Sequence, residues 1–265
     1  MSTTTPIITV SGLTKKFKDL VAVNNISFSV LPGEIFAFLG PNGAGKSTTI
    51  KMLTTLLRAS SGTINLNGFD PIIQPYQVRQ SFGIVFQDHS LDDDLTAYEN
   101  MHFHAVLYKV PKAVSTQRIE ELLKMVELWD RKNDMVKTFS GGMKRRLEIA
   151  RGLLHQPKVL FLDEPTLGLD PQTRNHIWNY IINLNKENGI TVFFTTHYME
   201  EAQKVAGRIA VIDHGQIVAQ GTVAELEQKT QTDTLEEAFL SLTGHEIREE
   251  AGSQLDRMRR MKRLH

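Results

Sequence analysis

The chain has 265 residues, a length that fits one or two domains, and it carries 30 basic and 30 acidic residues. A formal net charge of zero excludes a globally basic nucleic-acid binder, and 41% hydrophobic with 23% charged residues excludes wholesale disorder. The absence of cysteine excludes a disulfide framework, a cysteine metal site and a cysteine nucleophile.

In chain order, the first ten residues, MSTTTPIITV, lack the basic start and apolar run of a secretory signal. Val21, Val23, Ile26, Phe28 and Val30 nearly alternate with polar residues, which predicts one buried face of a strand. Pro32-Gly33 marks a turn, and Ile35 to Leu39 reads as a strand buried on both faces. Such apolar runs fall far short of the roughly 18–20 residues of a membrane-crossing helix. Short strands are expected at Thr63–Leu66 and Phe82–Phe86. From Leu95 to about Gln156 the pattern turns helical. Thr96 and Glu99 fit a capping box, and Ile119, Leu122, Leu123 and Val126 share one helix face. Strand and helix then alternate again. Val159–Leu162 reads as a buried strand, and Ile177, Tyr180, Ile181 and Leu184 as a helix face stopped by Gly189. Thr191–Thr196 predicts a strand, and Arg208–Asp213 with Gln216–Gln220 a hairpin around His214-Gly215. Thr222 with Glu225 and Thr234 with Glu237 predict two more capping boxes. Beyond Gly244 the periodicity fades into a basic stretch with Arg257, Arg259, Arg260, Lys262 and Arg263.

The strongest chemical signal is Gly40-Pro41-Asn42-Gly43-Ala44-Gly45-Lys46-Ser47-Thr48, which fits the phosphate-loop pattern GxxxxGKS. Glycines let backbone amides approach a phosphate, and the following helix presents its positive end to the anion. Lys46 suits the β- and γ-phosphates, and the Ser47 hydroxyl suits Mg²⁺. Asp163-Glu164 follows an apolar strand, where α/β folds bind ligands. Asp163 suits Mg²⁺ and Glu164 suits a general base, although the dipeptide alone also reads as an acidic turn. Phe139-Ser140-Gly141-Gly142-Met143-Lys144 opens a helix with Met143, Leu147, Ala150 and Leu154 along one face. A serine and two glycines at a helix start make a second anion-binding device, or an ordinary N-cap.

These motifs, in this order, carry a family resemblance. The chain resembles the nucleotide-binding subunit of ATP-binding cassette (ABC) transporters from Ile7 to about Gly244. The motifs are GPNGAGKST, VFQD around Gln87, SGGMKRR from Ser140, QPKVLFLDEPTLGLDP from Gln156, and TTH ending at His197. The resemblance implies an α/β phosphate-loop fold with an N-terminal antiparallel β subdomain, a mainly parallel core sheet and an inserted helical subdomain. It divides the chain into core at 1–88, helical subdomain at 89–156, core again at 157–244 and a basic tail at 245–265. It implies that Phe17 stacks on adenine, and that Gln87 senses Mg²⁺ and the attacking water. Ser140, Gly141 and Gly142 become the signature that contacts the γ-phosphate of the opposite subunit. Asp170 becomes an interface aspartate and His197 a switch on the γ-phosphate.

The implied cofactors are ATP and Mg²⁺. The implied partners are a transmembrane permease subunit and a second copy or a paralogous ATPase subunit, with no nucleic acid. The implied place is the cytoplasmic face of the membrane. Phe139, Met143 and Leu167 depart from common residues of the family motifs, but none removes a phosphate, metal or base group. SGGMKRRL with TLEEAFL from Thr234 resembles the branch that powers drug-resistance and polysaccharide exporters. Soluble cassette proteins of translation or DNA repair, other phosphate-loop enzymes and a non-hydrolysing module are the competing classes. Tandem cassettes have no room here, and the Lys46, Asp163, Glu164 and His197 set argues for hydrolysis. Asp92-Asp93-Asp94 reads as a solvated turn or as an acidic patch for basic residues of a membrane partner.

Overall fold

The computed structural model describes residues 5–244. The predicted tail at 245–265, with its basic residues, lies outside the described residues. The chain opens with β1 (Ile8–Phe17), β2 (Leu20–Val30), β3 (Ile35–Leu39), α1 (Lys46–Leu53) and β4 (Ser61–Leu66). Then come α2 (Pro75–Ser81), β5 (Phe82–Val85), α3 (Ala97–Leu107), α4 (Lys112–Met125) and α5 (Gly141–Leu153). The last third holds β6 (Val159–Asp163), α6 (Pro171–Asn188), β7 (Thr191–Thr196), α7 (Met199–Val205), β8 (Arg208–Asp213), β9 (Gln216–Gly221), α8 (Val223–Thr230) and α9 (Leu235–Thr243). No helix among the described residues is long and apolar enough to cross a membrane.

Two sheets result. The antiparallel one is ordered β2-β1-β4, and the second is ordered β5-β6-β7-β3-β8-β9, with only β9 antiparallel to its neighbour. Strand alternation decides which residue faces which layer. From β3, Phe36 and Phe38 turn to the antiparallel sheet, and Ala37 and Leu39 turn to the helices. Phe28 meets Phe36, Phe38 and Phe193 between the sheets, with ring centroids 5.6–5.8 Å apart. The opposite face of the large sheet buries Leu160, Leu162, Val192 and Phe194 against Trp178 and Ile181 of α6.

Most local expectations hold. Thr96 and Thr222 close full capping boxes with Glu99 and Glu225. Gly189 ends α6 in the left-handed conformation. Thr234 keeps only half of its box, because the Glu237 carboxylate accepts from Asp233 N instead. In β2 the predicted face is rebuilt by a bulge. Val23 and Ile26 are an odd number of residues apart, yet both are buried. The pairing slips between Leu13↔Ile26 and Lys15↔Val23, and Asn25 takes a φ of 53°. Val21, expected on the same face, is exposed near the strand end. Asp92, Asp93 and Asp94 are all exposed in a turn, as the first of their two readings has it. Asp93 pairs with Lys144 at 2.6 Å and Asp94 with Lys137 at 3.2 Å, so the triplet is tied to α5 and the turn before it.

The topology places the chemistry. β7 lies between β3 and β6, and Leu39 is in register with Thr196, as Asp163 is with Thr195. The loop after β3, the acidic pair after β6 and the histidine after β7 therefore emerge side by side at one carboxyl edge.

Candidate nucleotide site

Gly40 to Gly45 carry the chain from β3 into α1. Gly45 sits just before the helix with φ 108°, and a Cβ there would stand 2.6 Å from the carbonyl oxygen of Ala22. Both facts require glycine. Lys46 is 5% exposed. Its Nζ donates to the carbonyl oxygens of Gly40 at 2.8 Å and Pro41 at 3.2 Å, and lies 3.1 Å from Glu164 Oε1. A cation is thus held at the mouth of a loop whose Asn42 and Gly43 face solvent. Ser47 and Thr48 follow in the first turn and are partly buried.

Asp163 ends β6, and its Oδ1 accepts from Ser47 Oγ at 3.1 Å and from Thr195 Oγ1 at 2.6 Å. Glu164 follows in the left-handed region at φ 48°, a costly conformation for a side chain-bearing residue. Thr195 holds it there, taking the Glu164 N–H on Oγ1 at 3.0 Å and on its carbonyl oxygen at 3.2 Å. The Glu164 carboxylate stands between two basic groups, Lys46 on Oε1 and His197 Nδ1 at 3.4 Å from Oε2. Burial pushes its pKa up, but His197 and Lys46 outweigh burial and hold it below the usual glutamate range. His197 Nδ1 is at ion-pair distance yet poorly aligned for a hydrogen bond.

The donors suit Mg²⁺. Ser47 Oγ and Asp163 Oδ1 are hard oxygens beside each other, and Mg²⁺ takes one or two protein oxygens plus substrate phosphates. Among the described residues no cluster of three or more His, Cys, Asp or Glu could cage a metal alone.

Other predicted residues stand apart. Gln87 is exposed in the loop after β5, held by its main-chain carbonyl, which accepts from Arg145 Nη2 at 2.9 Å. Phe17 is 44% exposed, with Lys15 Nζ 4.9 Å from its ring centroid. It closes the β1–β2 hairpin opposite Leu20. Ser140 caps α5, its Oγ accepting from Met143 N at 3.3 Å. Ser140 and Gly141 are exposed, and no hydrogen bond among the described residues takes up the amides of Gly141 and Gly142. None joins them to Lys46, Ser47, Asp163 or Glu164 either. Their neighbours are Leu169 and Thr173. Asp170 caps α6 through Thr173 N at 3.0 Å and Thr173 Oγ1 at 2.6 Å, bonds that lower its pKa.

Three residues escaped the sequence reading. Thr195 anchors the Asp163 carboxylate and the main-chain N–H of Glu164. Glu201, 7% exposed on α7, accepts from the hydroxyls of Thr166 and Thr196, so it ties the segment after Glu164 to the one before His197. Arg145 holds the Gln87 loop. A threonine inside an apolar strand, and charges on a helix that is buried nearly all round, were the available signals.

Comparison with known proteins agrees with this geometry. The profile of the ABC transporter family matches residues 23–167. A linearmycin resistance ATP-binding protein of Bacillus subtilis (strain 168) is 43% identical over 84% of this chain and 72% of its own length. A daunorubicin/doxorubicin resistance ATP-binding protein of Streptomyces peucetius is 43% identical over 87% of this chain and 70% of its own. A Nod factor export ATP-binding protein of Ralstonia nicotianae is 41% identical over 84% and 69%. Among solved structures, cbiO1 of Clostridium perfringens, part of an ABC transporter complex, superposes with a TM-score of 0.78 at 32% identity. That match covers 84% of this chain and 91% of the other. A dimeric ATP-binding cassette in a post-hydrolysis state with ADP and phosphate gives 0.73 at 28% identity, over 81% and 98%. With its phosphate loop, acidic pair and histidine gathered at one sheet edge, this chain belongs to the ABC transporter family.

Proposed function

We propose that this chain is the ATP-hydrolysing subunit of an exporter and that it works as a head-to-tail dimer, with a second copy or a paralogue. Each ATP lies between Gly40–Thr48, Gln87, Asp163, Glu164 and His197 of one chain and Ser140, Gly141 and Gly142 of the other. Phe17 takes the adenine face, and Asp170 lies at the interface. The observation that carries the reading is the split itself. A Lys46–Glu164–His197 cluster, with Lys46 and Glu164 buried and His197 half-buried, is complete in one chain, while the Ser140 helix start faces solvent with free amides.

Phosphates arriving at the loop compete with Glu164 for Lys46. As Lys46 turns to the phosphates, Glu164 loses a cation that lowers its pKa and becomes a stronger base toward water. His197 keeps that carboxylate oriented and reaches the γ-phosphate. Ser47 and Asp163 would hold Mg²⁺, with Gln87 at its shell, and the ion would supply positive charge against the β- and γ-phosphates. The amides of Gly141 and Gly142 take up charge from the other side once the dimer closes.

The relatives named for drug resistance and Nod factor export support export. In this reading the substrate is drug-, lipid- or polysaccharide-like and passes through a separate transmembrane permease, with this subunit peripheral on the cytoplasmic face. Residues 1–88 and 157–244 form the ATPase core in this reading, and 89–156 the helical subdomain. Two measurements test it. The wild-type chain should release phosphate from ATP with Mg²⁺, and Lys46→Ala should not. A tagged chain pulled from detergent-solubilised membranes should bring a polytopic protein in stoichiometric amount. Ribosomal or DNA-repair partners without a membrane protein would overturn transport.

A further inference from the structure

A buried charge pair outside the nucleotide site binds the Gln87 loop to the helix that begins at Ser140. Arg145 and Glu148 lie one turn apart on α5, 3% and 0% exposed, with Arg145 Nη1 3.1 Å from Glu148 Oε2. The pair is not closed on itself. Arg145 also donates to the carbonyl oxygens of Phe86 and Gln87. Glu148 Oε1 accepts from Ser90 N at 2.7 Å and Ser90 Oγ at 3.2 Å, and its Oε2 lies 3.0 Å from His89 Nδ1. One turn on, Arg151 donates to the Ser90 carbonyl oxygen at 2.7 Å and to its hydroxyl. The far end of α5 is fixed as well. A Cβ on Gly83 of β5 would stand 2.2 Å from the carbonyl oxygen of Gly152, so the two backbones touch.

A buried ion pair is a costly way to gain stability, since apolar residues of similar volume often do as well. What this pair supplies is geometry. Arg145 spans two successive carbonyls of the loop, a task for a planar fork. It does so five residues, about 7.5 Å along the axis, from the Ser140 cap.

We propose that Arg145 and Glu148 are positioning residues that make the Gln87 loop and the Ser140 helix start one rigid unit, and that this unit couples the two nucleotide sites of the dimer. The proposal rests on the shared-site reading above. There, Gln87 serves the nucleotide of its own chain and Ser140 serves the nucleotide of the other. A shift of Gln87 at one site then moves the signature at the other, through a packed helix instead of being absorbed in a loop.

The test is the ATP dependence of phosphate release, with thermal stability and ATP affinity of the monomer measured beside it. Arg145→Lys keeps a charge against Glu148 but loses the fork. Arg145→Gln with Glu148→Gln removes both charges and strands neither. Should the double variant fail to fold, Arg145→Lys and Ser90→Ala carry the test. The wild type should show a Hill coefficient approaching about 2, the number of sites. The variants should fall toward one with monomer affinity unchanged. A Gln87→Ala chain should give the same Hill coefficient with and without Arg145→Lys, because both changes cut one path. An unchanged Hill coefficient in folded variants overturns the proposal, as does a further drop when Gln87 is already gone. A wild type that hydrolyses ATP without cooperativity also overturns it and leaves the ATPase reading standing. A wild type with no hydrolysis overturns that reading and the proposal with it.

Discussion

α1 and α5 both begin beside glycines that let backbone amides face outward, yet their surroundings are opposite. At α1, Lys46 is buried and already answered by two loop carbonyls and Glu164, and Ser47 is bonded to Asp163. At α5, Ser140 and Gly141 are exposed, and among the described residues Ser140 bonds only to its own helix. Long-range contacts finish the first site within one chain. In the proposed dimer the second presents its donors to the nucleotide of the other copy. On that reading an anion-binding helix start is one motif with two uses, and burial separates them.

The sharpest break of this comparison is at Glu164. Glu164→Gln should still bind ATP while phosphate release falls by about 10²- to 10⁴-fold, the span of a general base. Normal turnover would remove Glu164 from that role. Ser140→Arg should also stop hydrolysis, but with ATP binding to the monomer intact. Mixing it with Lys46→Ala should restore activity, since one mixed site then holds an intact Lys46 and an intact Ser140. A mixture as inactive as its components would dissolve the distinction between the two helix starts.

Stability sharpens the same contrast. Phe193→Ala empties the aromatic cluster between the sheets and should cost about 3–5 kcal/mol in urea unfolding. Ser140→Arg, on an exposed cap, should cost no more than about 2 kcal/mol, the upper end for a lost cap.

The smallest effect is one of pH. Between α3 and the end of α5, His155 stacks on Tyr108 at 3.8 Å between centroids and His104 lies tilted against it at 4.6 Å. Burial pushes His104 down to about 3, aided by Arg151, and His155 down to about 4 against a bond to Phe82 O. Unfolded, both titrate near 6.5. Below that value the unfolded chain binds more protons. Stability from these rings is therefore complete above about 6.5 and is lost as pH falls through about 4 for His155 and about 3 for His104. Urea midpoints at pH 7.5 and 4.5 should differ less in His104→Gln with His155→Gln than in the wild type.

Much of this was legible in the sequence because it is contiguous or periodic. The phosphate loop needs only its own glycines and the strand before it. The capping boxes at Thr96 and Thr222 need only four residues each. The buried strands at Ile35 and Val159 announce themselves by unbroken apolar runs. The β2 face was half legible, since a bulge at Asn25 changes the parity that alternation assumes. The box at Thr234 is half-formed because the Glu237 carboxylate accepts from Asp233 N.

The sequence by itself determined which local devices this protein owns: a loop for phosphates, a carboxylate pair after a buried strand, a second glycine-bounded helix start. Short-range sterics and hydrogen bonding specify such devices. Only the tertiary structure decided how they are joined. Ser47 meets Asp163 across 116 positions because β7 separates β3 from β6 in the sheet. Arg145 meets the Gln87 loop because α5 packs its backbone against β5. Strand order and helix packing minimise the free energy of the whole core, and no local window of residues contains that information.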